Sequence, residues 1–105
     1  MTDLSARVIN KDNFNEVVNS EKKVLLDFFS PTCGPCKMVS PVVDKIADEH
    51  SEILVGKVNV AEEEELARQF RVSSVPTFFV MEKGEVIKKS TGAMRESGIL
   101  SLLEM

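Results

Sequence analysis

The stretch Val24-Leu25-Leu26-Asp27-Phe28-Phe29-Ser30-Pro31-Thr32-Cys33-Gly34-Pro35-Cys36-Lys37 decides how this chain is read. Its first six residues are apolar apart from one acid, the pattern of a central strand covered on both faces. Its second half holds the chain's two cysteines, separated by Gly34 and Pro35. Beyond them Val39, Val42, Val43, Ile46 and Ala47 keep the spacing of a helix packed by one stripe on a sheet. Pro41 falls inside that helix, where it removes one backbone bond and predicts a kink. A thiol pair therefore stands where a strand gives way to a helix.

Working outward, Ala6-Arg7-Val8-Ile9 reads as a short strand. Asn13 and Glu16 have capping-box spacing, with Phe14, Val17 and Val18 on one helical face behind them. Ile53 to Val60 alternates loosely as a strand, and Glu62 to Phe70 reads as a helix with an acidic first turn suited to its dipole. Thr77 to Met81 and Val86 to Ser90 form a hairpin around Glu82-Lys83-Gly84-Glu85. A terminal helix over Arg95 to Glu104 is weakened by Gly98. The order βαβαβαββα predicts an α/β fold: a mixed five-stranded sheet, parallel through the crossovers and antiparallel at the end, flanked by four helices.

The bulk properties limit the function classes. At 105 residues, with 43% apolar and 29% charged residues, the chain suits one globular domain over 1–105. Thirteen Lys and Arg against seventeen Asp and Glu give a net charge of −4, which argues against a nucleic-acid surface. Met1 to Arg7 has neither a cationic nor an apolar leader region, and no apolar run approaches a bilayer span. The expectation is a cytoplasmic protein without membrane partners, in a compartment where neighbouring cysteines mean redox or metal chemistry.

Three readings of Cys33 and Cys36 compete. A structural bridge closing so small a loop contributes only about 2 kcal/mol. A zinc site needs four ligands, and the chain adds only the distant His50, which closes the long helix where a cation is favoured. Redox chemistry uses the pair as it stands, and no metal is expected. Cys33 at the helix start meets the positive dipole end and free N–H groups, which favour the thiolate and mark it as nucleophile, with Cys36 resolving the mixed disulfide. Gly34 admits close approach of another chain, and Pro35 fits a first helical turn. Burial of Asp27 in its apolar strand should raise its proton affinity, as suits a group that takes and returns a proton. The run Glu62 to Glu65 reads as a solvated face before a docking site.

With these residues in hand the chain resembles the thioredoxin family over nearly its whole length. The resemblance lies in Val24 to Phe29 with its acid, Cys33 to Met38, Pro41, Ile46-Ala47-Asp48-Glu49, Lys57-Val58-Asn59-Val60, Val75-Pro76-Thr77, Gly84-Glu85-Val86 and Gly92-Ala93. It implies the thioredoxin fold and a protein-disulfide reductase working by dithiol–disulfide exchange. Such a protein carries no bound cofactor, is recharged by a thioredoxin reductase or its equivalent, and acts on disulfide-containing proteins; the oligomeric state is open, with a monomer as the default expectation. It further implies that Asp27 assists deprotonation of Cys36 with Lys57 close by, and that Pro76 is cis against the thiols, leaving the Val75 backbone open to an extended substrate. Thr32, Pro35, Val75, Gly92 and Ala93 would then form a small contact patch. Thr32 and Phe29 stand where the family commonly has Trp, and Ala61 where it has an acid. Thr32 keeps one alternative open, a specialised electron donor or isomerase with a shifted potential; a second, a non-catalytic binding module, is disfavoured by the presence of both cysteines.

Overall fold

The computed structural model describes residues 6–105; Met1–Ser5, part of the segment read above for a leader, lie outside the described residues. The elements are β1 (Ala6–Val8), α1 (Phe14–Val18), β2 (Lys23–Phe29), α2 (Gly34–Glu49), β3 (Ile53–Asn59), α3 (Glu64–Gln69), β4 (Thr77–Glu82), β5 (Glu85–Thr91) and α4 (Glu96–Leu102). The sheet order is β1-β3-β2-β4-β5. β1 and β2 run parallel to β3, while β4 is antiparallel to both β2 and β5.

Strand β2 is central, and its alternation divides two apolar cores. Leu25 joins Val39, Val43 and Ile46 of α2, Ile99 and Leu103 at the terminal helix, and Val55, Phe78 and Val80 of the sheet. Val24, Leu26 and Phe28 face the other way, onto Val17 and Val18 of α1, Leu66 of α3, and Val58, Phe79 and Met81. Phe14 and Phe70 complete an aromatic cluster there, with Phe70 4.9 Å from Phe79 and 5.2 Å from Phe28 between ring centroids. Each such pair adds about 0.5–1.5 kcal/mol beyond its buried area. Asp27, two residues beyond Leu25, necessarily points toward α2.

α2 runs on through Pro41, where Pro41 and Lys37 are both exposed, so water can replace the donor that proline lacks. Other local expectations change. Asn13 precedes α1 without a side-chain cap on it. Its amide instead reaches backwards, accepting from Asn10 N at 2.8 Å and donating to Val8 O at 2.9 Å, which ties the turn after β1. The terminal helix is shorter than Arg95 to Glu104, spanning Glu96–Leu102. The hairpin closes as expected: Lys83 and Gly84 both have positive φ, 53° and 84°, the geometry of a two-residue turn matched to strand twist.

Candidate functional site

The end of β2 runs into the turn Ser30–Thr32, and Cys33 then caps α2. Its backbone is extended, and its Sγ accepts the Cys36 N–H at 3.1 Å. Gly34 and Pro35 fill the first helical positions, where an absent proline N–H leaves no helical bond unmade. Cys33 and Cys36 are joined as a disulfide with Cα atoms 5.2 Å apart. The two sulfurs are not equivalent: Cys33 is half-buried, whereas Cys36 is only 3% exposed.

Opposite the thiols, the Val75–Pro76 peptide is cis. The Val75 carbonyl oxygen lies 3.8 Å from Cys33 Sγ. Pro76 is buried and its carbonyl accepts the Gly92 N–H at 2.8 Å, which brings Val75 and Gly92 to the thiol end of the sheet, with Ala93 next and exposed. Gly92 has φ 104°, a conformation that favours glycine. Thr32 is exposed, with its Oγ1 3.2 Å from Ser30 Oγ.

Behind Cys36 lies a cavity of about 120 Å³ lined by residues that include Asp27, Pro31, Cys36, Lys37, Ser40 and Lys57. Asp27 is 2% exposed, and its Oδ1 has no hydrogen-bond partner. Burial pushes its carboxyl up from the ordinary 3.8 to about 7, against a downward pull from Lys57 and with a smaller upward push from Asp44. Lys57 sits directly across from Asp27 in the β2–β3 register. Its ammonium is nevertheless bonded elsewhere, to Ser40 Oγ at 2.7 Å and Asp44 Oδ1 at 2.7 Å. Ser40 and Asp44 escaped the sequence reading. The signal that could have found them is their helical spacing from Cys36, four and eight residues on, which sets all three on one face.

His50 ends α2, with Nδ1 3.3 Å from Glu52 Oε2. Among the described residues no group of three or more His, Cys, Asp or Glu side chains is arranged to hold a metal. No helix among them is long and apolar enough to cross a membrane.

A half-buried cysteine at a helix start, a buried cysteine bonded to it and a buried carboxyl beneath define a thiol–disulfide oxidoreductase acting by dithiol–disulfide exchange. Comparison with known proteins agrees. Residues 5–105 match the family model described as Thioredoxin. A thioredoxin of Pyropia yezoensis is 43% identical over 89 residues, covering 84% of this chain and 83% of that protein. The bifunctional thioredoxin reductase/thioredoxin of Mycobacterium leprae is 38% identical over 98 residues, 92% of this chain but 21% of that longer protein. A mutant thioredoxin of Halobacterium salinarum superposes with a TM-score of 0.89 at 29% identity, covering 99% of this chain and 93% of the other. The chain belongs to the thioredoxin family.

Proposed function

We propose that this protein reduces disulfides in other proteins, with Cys33 as nucleophile, Cys36 as resolving thiol and Asp27 as proton carrier. The observation that carries the reading is the unequal exposure of two bonded sulfurs above a buried carboxyl. An incoming disulfide meets Cys33 first. The Cys33 thiolate attacks one substrate sulfur, the substrate S–S bond breaks, and its electron pair leaves on the other sulfur, which takes a proton from solvent. Cys36 S–H then gives its proton to the Asp27 carboxylate, and the Cys36 thiolate attacks Cys33 Sγ. The mixed bond breaks and the second substrate sulfur leaves with the electron pair and is protonated. Two electrons have moved from the dithiol to the substrate, leaving the Cys33–Cys36 disulfide.

Val75 supports substrate positioning in this reading, since its carbonyl faces the reacting sulfur and suits main-chain pairing with an extended segment. Thr32, Pro35, Gly92 and Ala93 complete a contact patch around the thiols, and Gly34 keeps the approach open. Lys57 acts on Asp27 by charge across the strand pair. We further read residues 1–105 as one domain acting as a monomer, supported by two cores built on the two faces of one sheet. The fusion of thioredoxin reductase and thioredoxin in the Mycobacterium leprae relative supports recharging of the disulfide by a reductase of that kind. Cytoplasmic action accords with cysteine usage: the two cysteines of the sequence form the redox pair and none serves a second bridge.

The test is reduction of a protein disulfide such as insulin with dithiothreitol as electron source. The wild type should accelerate the reaction and Cys33→Ser should not; activity surviving in Cys33→Ser removes the nucleophile assignment. Cys36→Ser should accumulate mixed disulfides through Cys33, visible by mass; a protein that stays unmodified under turnover counts against resolution by Cys36. Exposed Thr32, with its hydroxyl turned to Ser30, favours a second reading, a donor with a narrower partner list. The reduction potential of the pair separates the two: a strongly reducing value supports the general reductase, and a value near those of glutaredoxins or isomerases supports the specialised donor.

A further inference from the structure

The Lys57 ammonium is gripped by two oxygens of α2, Ser40 Oγ and Asp44 Oδ1, each at 2.7 Å. Ser40 and Asp44 are one helical turn apart, and Cys36 precedes Ser40 by one turn. Across the strand pair, the buried Asp27 has an oxygen with no partner. A flexible lysine on the neighbouring strand is the obvious cation for that carboxyl. Closing that pair would hold Asp27 as a carboxylate too weakly basic to take a thiol proton near neutral pH.

We propose that Ser40 and Asp44 are positioning residues for proton transfer at Asp27: they hold the Lys57 ammonium on the helix side of the cavity and prevent it from closing into an ion pair with Asp27. The inference rests on Asp27 carrying the Cys36 proton. The groups that face Asp27 can be named element by element. β3 supplies Lys57; α2 supplies Cys36 and Asp44, with Lys37 on the cavity wall; β4 places uncharged Phe78 opposite. Asp44 thus acts twice, through its own negative charge and through its hold on Lys57. Ser40 carries no charge and acts only through Lys57.

The test is a carbon-13 NMR titration of the Asp27 carboxyl in the oxidised protein, where the cysteines do not titrate. Asp44→Asn should lower the Asp27 midpoint by about one pH unit, the low end of what an approaching cation does to a carboxyl. Adding Ser40→Ala should lower it at least as far, and Asp44→Glu should restore it. In a Lys57→Met background Asp44→Asn should move the midpoint far less, and Ser40→Ala not at all. A midpoint unmoved by Asp44→Asn, or moved equally with and without Lys57, overturns the proposal, and a merely structural ion pair predicts the second of these, since Asp44 would then act on Asp27 only through its own charge. The pH profile for reduction of dithiobis(2-nitrobenzoate) separates this proposal from the reading beneath it. Its acid limb should follow the Asp27 midpoint. If the midpoint moves and the limb does not, the tether exists but Asp27 is not the proton carrier, and the catalytic role of Ser40 and Asp44 falls with it.

Discussion

A carboxyl buried to 2% exposure must either find a cation or give up its charge. Asp27 is pushed toward the second: its proton affinity rises to about 7, with burial as the leading cause. That value leaves it close to half-ionised at neutral pH, able both to take a proton from Cys36 and to return it. Asp27→Asn removes the acceptor while keeping the shape. It should slow disulfide reduction about tenfold at pH 7, less than the full worth of a positioned base, because exposed Pro31 and Lys37 on the cavity rim leave solvent close by as a substitute acceptor. The wild-type rate should fall as pH drops below about 7 while the variant's profile loses that limb; stopped-flow reduction across pH reads both. Identical profiles would leave Asp27 structural. Asp27 was legible in the sequence because an acid inside a strand of Val, Leu and Phe has nowhere polar to go. Ser40 and Asp44 were not, since polar positions on an amphipathic helix read as solvated until the facing strand residue is known.

At the scale of elements, regular segments were readable to within a residue or two wherever periodicity and turn chemistry agreed. β2, α2 and the β4–β5 hairpin are of this kind. Where only a polar motif was available the capping expectation failed: Asn13 has a helical backbone (φ −109°, ψ −2°) rather than the extended one a cap uses, and its amide satisfies the turn behind it at Val8 O and Asn10 N. Glycines give two tests here. In β3, a Cβ on Gly56 would fall 2.6 Å from Ile9 Cγ1 and 3.1 Å from Leu26 Cδ2, both on fully packed side chains. Gly56→Ala should therefore destabilise the fold by about 1–3 kcal/mol through overpacking. In the hairpin, Gly84 combines φ 84° with an Asn19 Oδ1 that would stand 2.7 Å from an added Cβ. Gly84→Ala should cost about 1–2 kcal/mol, and pairing it with Asn19→Ala should recover the steric part but not the backbone part. Urea denaturation measures all three; Gly56→Ala as stable as wild type would mean that β1 shifts freely against the sheet.

At the scale of the molecule, the topology was legible because alternating strands and helices with right-handed crossovers leave few arrangements, and the closing hairpin fixes the antiparallel side. The same architecture sets a global cost. The fold places a carboxyl between a central strand and a helix, so the free energy of the whole protein depends on one titration. In the unfolded chain Asp27 ionises near 3.8, and in the fold near 7. Between those values the native state keeps a proton that the unfolded chain releases, so the contribution of Asp27 to stability is fully present below pH 4 and lost as pH rises through 7. Across that window the loss is about 4 kcal/mol, a large share of the roughly 5–15 kcal/mol that holds a domain together. Asp27→Asn has no such titration. At pH 8 it should be more stable than wild type by about 2–4 kcal/mol, the lower figure allowing for an amide left without full hydrogen bonding. At pH 4 the advantage should vanish. Urea denaturation of both oxidised proteins at pH 4, 5.5 and 8 gives the comparison. Stability curves that run parallel across this range would mean that the native carboxyl titrates where the unfolded one does, and that the cavity behind Cys36 is far wetter than its walls indicate.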